Sequence, residues 1–321
     1  MSRRCRVAFI LSAPRSGSTL LLRMLHAHPQ IRGLAEPHLI PSIQRLSPDE
    51  GARSRTSRLQ QGLSHFLSEL PDGERAQLRA CRAYLDTLYE AALESAEPEV
   101  ELLVDKTPAQ AASIDLIRGL YPDAPILILR RHPAAIAWSQ AEAFFGGDLS
   151  LARRERPILE ETLGALGPEL REPRGTLHVV DYEALVEEPE RILAQIFEFL
   201  SLPACPDAVH YGRTPLEGPG DPMEVTRHPQ PQPALAHRWR AIFASDPSLC
   251  REVERQLSGI RDRDLEAWGT PRSELWTLLK GVNPSPRRGR FRPYAMGRRL
   301  LVWRLTGLCL VSLACADHEM A

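Results

Sequence analysis

Lysine is nearly missing from this chain: of its 40 basic residues, only Lys106 and Lys280 are not arginine. Against that background a retained lysine marks a place where a compact ammonium is wanted and a planar guanidinium would not fit. Cysteine is sparse as well. Cys5, Cys81, Cys205, Cys250, Cys309 and Cys315 lie far apart without a C-x-x-C pair. That argues against a disulfide framework or a zinc site and points to a reducing, cytoplasmic setting. Neither sign of charge dominates: the formal net charge is −1, so no global field draws the chain to nucleic acid or membrane. Long apolar runs are wanting too. The stretch "LLVWRLTGLCLVSLACA" is broken by Arg304 and leaves about a dozen residues beyond it, short of the roughly 20 that a bilayer span needs. The opening "MSRRCRVAFIL" carries a short apolar run leading straight into a polar turn, unlike a signal peptide.

What is present fits a sizeable globular domain, or a domain with an appendage: 321 residues, 43% hydrophobic and 25% charged. Apolar runs at Val7–Leu11, Leu102–Val104, Ile126–Leu129 and Leu177–Val180 read as buried strands. They alternate with helical patterns at Ser18–His26, Ala109–Leu120, Ala134–Phe144 and Pro189–Leu200, each beginning near Pro, Ser or Thr. Alternation of this kind predicts an α/β fold with a parallel sheet. Residues 47–97 are helical, polar and Arg-rich, and read as an insertion over the sheet's ligand edge. Residues 216–233, dense in Gly and Pro, are a candidate lid. The expected organisation is one domain over 1–270 and an Arg-rich, then apolar, extension over 271–321. A docked helix is expected in the extension, with an interfacial membrane contact favoured only by the adjacent basic run.

The first chemistry lies in "VAFILSAPRSGSTLLLRML", residues 7–25, a strand, a tight turn and a helix start. Backbone N–H groups of the turn around Pro14, Ser16 and Gly17, with those of the helix's first turn, can converge on one anion. Arg15 adds a cation, while Ser18 and Thr19 serve equally well as helix caps. The nucleotide-triphosphate loop G-x-x-x-x-G-K-[ST] is absent. A second anion site stands in "APILILRRHPAAIAWSQ", where the strand ends in Arg130 and Arg131 instead of the Asp that would hold Mg²⁺. Ser139 follows Arg131 by eight positions.

The order P-R-S-G-S-T resembles the 5′-phosphosulfate loop of sulfotransferases that use 3′-phosphoadenosine-5′-phosphosulfate (PAPS). The resemblance covers about residues 5–245 and extends to the tyrosylprotein and polyketide-associated groups of that family. It implies a P-loop-type parallel sheet flanked by helices, and transfer of a sulfuryl group to an acceptor hydroxyl. It also implies Arg15, Ser16, Gly17, Ser18 and Thr19 on the 5′-phosphate, and Arg131 with Ser139 on the 3′-phosphate. No metal is expected, since a sulfuryl group carries less charge than a phosphoryl group and Arg15 can neutralise the departing oxygen.

In "AEPHLIPS" the resemblance points to Glu36 as catalytic base, the alternative being a solvated loop carboxylate; His38 nearby reads as a packing or capping residue. In "DKTP" the resemblance places Lys106 beside the sulfuryl group, the alternative being a pair with Asp105. In "GDPMEVTRHPQPQPALAHRWR" it suggests His228 as base or proton relay, with His210 and His237 as rivals, and Trp239 as a wall over the ligands or simply core. The acceptor stays open among a hydroxylated acyl chain on a carrier protein, a carbohydrate, a peptide tyrosine and a small metabolite. A P-loop kinase-like phosphotransferase and a non-catalytic nucleotide-binding or docking protein are the alternatives.

Overall fold

A computed structural model describes residues 6–44, 55–216 and 228–284. Strands β1 (Arg6–Ser12), β2 (Ile31–Ala35), β3 (Leu102–Lys106), β4 (Ile126–Arg130) and β5 (Leu177–Asp181) form a parallel sheet in the order β2-β3-β1-β4-β5. The helices before β4 are α1 (Ser18–His26), α2 (Leu39–Gln44), α3 (Arg55–Ser68), α4 (Gly73–Glu94) and α5 (Ile114–Leu120). After β4 come α6 (Pro133–Phe144), α7 (Leu149–Glu155) and α8 (Ile158–Arg171), and after β5 come α9 (Tyr182–Glu187) and α10 (Pro189–Phe199). Beyond the lid region lie α11 (Pro233–Ser245), α12 (Pro247–Gln256) and α13 (Asp262–Ala267).

Alternate residues of β1 feed two cores. Val7, Phe9 and Leu11 join the one that takes in α4, α6 and α8, while Ala8 and Ile10 join the one under α1 and α10. Burial on both faces is why β1, β3 and β4 read as unbroken apolar runs. The chain passes from β1 out to β2, back to β3, and then across β1 to β4. The strand order therefore reverses beside β1, and ligands of open parallel sheets sit at such a point, outside the carboxyl ends of the strands.

β2 was not foreseen, because "IRGLA" interrupts its apolar pattern with Arg32 and Gly33 and lies at the sheet edge. Gly33 is needed there, since a Cβ would come 3.0 Å from Leu22 of α1. Of the helical stretch over 47–97, residues 47–54 lie outside the described residues. Its longer helix, α4, buries Leu85, Tyr89 and Leu93 against the sheet and forms the crossover between the parallel neighbours β2 and β3.

At the other end, residues 271–284 pack on the body: Leu275 is buried, and Trp276 stacks on Phe243 of α11 at 5.9 Å. The expected extension helix lies outside the described residues, as do lid residues 217–227. Among the described residues no helix is long and apolar enough to cross a membrane.

His132 ties this segment down. Its Nδ1 accepts from the Ala134 N–H at the start of α6 (3.2 Å), and its Nε2–H donates to the Leu275 carbonyl (3.0 Å). The first bond needs the neutral ring with its hydrogen on Nε2, because protonation would remove the Nδ1 lone pair. Burial holds His132 at about 4, below its ordinary 6.5, so an unfolded chain takes up this proton first as pH falls. The contribution is complete above pH 6.5 and is lost as pH drops toward 4. Urea unfolding should therefore show the parent losing about 2 kcal/mol more between pH 7.5 and pH 5 than His132→Asn, a variant that keeps a helix cap but cannot titrate.

Candidate active site

The turn after β1 is shaped by two left-handed residues, Arg15 (φ 71°) and Gly17 (φ 95°). Gly17 is the N-cap of α1 and supplies no side-chain cap, so the first-turn N–H groups face the cleft. A Cβ on Gly17 would lie 2.3 Å from the Tyr182 ring, so only glycine fits beneath that tyrosine. Ser16 Oγ is buried and has no partner among the described residues. That is an orphaned polar atom inside a turn built of N–H donors.

The two anion motifs meet. Arg15 Nε donates to Ser139 Oγ at 3.3 Å, and Arg131 Nη1 donates to the Arg15 carbonyl at 3.0 Å. Arg131 lies over the Tyr182 face at 4.3 Å, and its Nε is buried without a described partner. Arg130 faces elsewhere, with bonds of 2.9 Å to both Asp181 carboxylate oxygens and to the Ala267 carbonyl. Of the two arginines that end β4, only Arg131 lines the cavity.

Lys106, at the end of β3, is wholly buried. Its Nζ donates to Glu36 Oε1 at 2.8 Å and to Thr19 Oγ1 at 3.3 Å, joining α1 to the carboxylate. The pairing with Asp105 is replaced: Asp105 points to the opposite face and takes a 2.7 Å bond from Tyr89 OH. Glu36 continues the ladder beyond β2, its N–H donating to the Lys106 carbonyl at 2.8 Å. The imidazole of His38 neither packs nor caps; it is exposed, with Nε2 at 3.9 Å from Glu36 Oε2.

These residues line one cavity of about 590 Å³ at the carboxyl ends of the strands, shared by Arg15, Gly17, Ser18, Thr19, Glu36, His38, Arg131 and Ser139. His228 lines it too; the rivals His210 and His237 do not, and His237 instead meets Glu187 at 2.7 Å. Trp239 is both wall and core, since it lines the cavity yet is buried against the His132 ring at 4.4 Å. Tyr182 was missed by the sequence reading. Its signal was position alone, the first residue after a strand of a parallel sheet, where site residues gather.

A model of the sulfotransferase family matches residues 8–207. The chain belongs to the sulfotransferase family. Nodulation protein NoeE of Sinorhizobium fredii is 29% identical over 59% of this chain and 48% of its own length. Protein-tyrosine sulfotransferase 1 of Homo sapiens is 30% identical over 63% of this chain and 53% of its own. The chain thus spans about half the length of these curated relatives. Among solved structures, the sulfotransferase domain from the Synechococcus PCC 7002 olefin synthase is 26% identical, with a TM-score of 0.51 over 79% of this chain and 95% of that one. The sulfotransferase domain from the curacin biosynthetic pathway, 24% identical with a TM-score of 0.52 over 80% of this chain and 98% of its own, shares the fold.

The close approach at Gly17 has a built-in control in Gly146, also left-handed (φ 61°) but with open space where a Cβ would go. Gly146→Ala should cost only the backbone preference, about 1 kcal/mol in urea unfolding. Gly17→Ala should cost at least twice as much, because the Tyr182 ring must also move.

Proposed function

We propose that the protein transfers the sulfuryl group of PAPS to an acceptor hydroxyl and releases 3′-phosphoadenosine-5′-phosphate. The observation that carries this reading is the buried Lys106 ammonium, which reaches the phosphate-loop helix through Thr19 and the carboxylate through Glu36. Such a bridge puts a cation between an anion cradle and a base, where a transferred anionic group would pass. The residues fit the donor. Ser16 Oγ and Arg131 Nε are buried orphans beside the turn, and Gly17 at the N-cap of α1 offers no side chain to satisfy the first-turn N–H groups, which leaves them for a phosphate.

When bound, PAPS supplies a sulfuryl group on a phosphate oxygen that departs with the nucleotide. Arg15 and the turn N–H groups would hold the 5′-phosphate, and Arg15 would neutralise charge appearing on the departing oxygen. Arg131 and Ser139 would hold the 3′-phosphate. Lys106 occupies Glu36 Oε1, which leaves Oε2, the oxygen toward His38, to take the acceptor proton. His228, in the lid stretch and on the cavity wall, would assist as a proton relay, and Trp239 would close the wall beside it. The acceptor bears a hydroxyl. Mass spectrometry for a +SO₃ product across an acyl chain on a carrier protein, a carbohydrate, a peptide tyrosine and small metabolites identifies its class.

Arg15→Ala and Arg131→Ala should each weaken binding of 3′-phosphoadenosine-5′-phosphate by about 1.5–3 kcal/mol in calorimetry, since each removes a charge-assisted contact. Adenosine 5′-phosphate, which lacks the 3′-phosphate, should lose less affinity through Arg131→Ala than 3′-phosphoadenosine-5′-phosphate does, yet remain sensitive to Arg15→Ala. Parent-like affinity in both variants rejects the nucleotide assignment. Glu36→Gln should keep nucleotide affinity while kcat falls by about 10²–10⁴, and His228→Ala should cost less. The reverse order of the two losses moves the base to His228.

A further inference from the structure

The segment Glu36-Pro37-His38 is held in a costly shape. Glu36 (φ 56°) and His38 (φ 55°) are both left-handed, and Glu36 precedes a proline, which narrows its choices further. Something must hold this turn, and its side of β3 shows what. The His38 N–H donates to Thr107 Oγ1 at 3.3 Å, and the Thr107 hydroxyl in turn donates to Asp105 Oδ1 at 3.4 Å. Asp105 Oδ2 takes the Tyr89 hydroxyl at 2.7 Å. Asp105 and Thr107 are both wholly buried.

An ionised carboxylate on the core face of a central strand is expensive to bury. Burial raises Asp105 to about 6, and the two hydroxyls that donate to it work against that rise. As a core residue alone, an apolar side chain would serve better. What Asp105 does that an apolar residue could not is fix the Thr107 hydroxyl: with its hydrogen committed to Asp105, the oxygen presents a lone pair to the His38 N–H.

We propose that Thr107, oriented by Asp105, is a positioning residue that holds the Glu36-Pro37-His38 turn so that Glu36 stays between Lys106 and the acceptor. The proposal rests on the reading of Glu36 as base for its effect on rate. The restraint on the turn itself is independent of that reading. Two bonds frame the turn from β3, Glu36 N–H to the Lys106 carbonyl before the proline and His38 N–H to Thr107 after it. Losing the second frees the far end of the turn while leaving the ammonium and the phosphate loop in place.

The test compares Thr107→Val, which keeps the shape and removes the hydroxyl, with Thr107→Ser, which keeps the hydroxyl. Thr107→Val should bind 3′-phosphoadenosine-5′-phosphate within about twofold of the parent yet lose about tenfold or more in kcat, with KM for PAPS little changed. Thr107→Ser should restore most of that kcat. In the double variant with Glu36→Gln, Thr107→Val should add little, because its effect passes through Glu36. Parent-like kcat in Thr107→Val, or a loss that Thr107→Ser fails to restore, overturns the proposal. If Thr107→Val does not fold, hydrogen exchange at the His38 amide of the parent decides: strong protection supports the restraint and open-amide exchange overturns it. If Glu36→Gln is fully active while the His38 amide is protected and Thr107→Val releases it, the base reading falls and the restraint stands.

Discussion

The site depends on one buried ammonium. Lys106 is wholly buried at the end of β3, and a cation there is tolerable only because Glu36 and Thr19 receive its hydrogens. Removing the Glu36 carboxylate leaves an uncompensated charge and removing the Thr19 hydroxyl an unsatisfied donor, so the carboxylate and α1 are bound to each other through the ammonium. A guanidinium would present a wider, planar fork to the same space. In a chain whose basic residues are otherwise almost all arginine, that difference accounts for the lysine.

Sheet topology sets the rest. All the strands are parallel, so their carboxyl ends open on one side, and the turns after β1, β2, β3, β4 and β5 bring Arg15, Glu36, Lys106, Arg131 and Tyr182 to one place. Tyr182 then acts as a keystone. Its ring covers Gly17 and carries the Arg131 guanidinium on its face, so the two anion motifs, far apart in sequence, rest on one side chain.

How much of this was legible follows from the same physics. β1, β3, β4 and β5 could be read because strands buried on both faces, or nearly so, stand out as apolar runs. The edge strand β2 could not, since Arg32 turns outward to the Ala92 carbonyl and Gly33 serves α1, and both break the pattern. The anion motifs were legible because short turns encode them locally. That Arg131 and not Arg130 turns to the cavity came only with the family resemblance, because its physical cause is not local: Asp181 and Ala267, 51 and 137 residues away, draw Arg130 off. The same holds for Asp105. A carboxylate next to a lysine in sequence invites pairing, but neighbours on a strand point to opposite faces, and the partner of Lys106 came from 70 residues away.

Strain is distributed with the same logic. Among the described residues, non-glycine backbone with positive φ occurs at Arg15, Glu36, His38 and Ser201, and the first three line the cavity. Each of those three is held by a bond from another motif: Arg131 on the Arg15 carbonyl, the Lys106 carbonyl on the Glu36 N–H, and Thr107 on the His38 N–H. Strained turns persist only where their surroundings over-determine them. Here the surroundings are the ends of β3 and β4, where Lys106 and Thr107 are wholly buried. The sheet therefore fixes the cations and the carboxylate on one cavity in advance, which is the preorganisation that the proposed transfer would use.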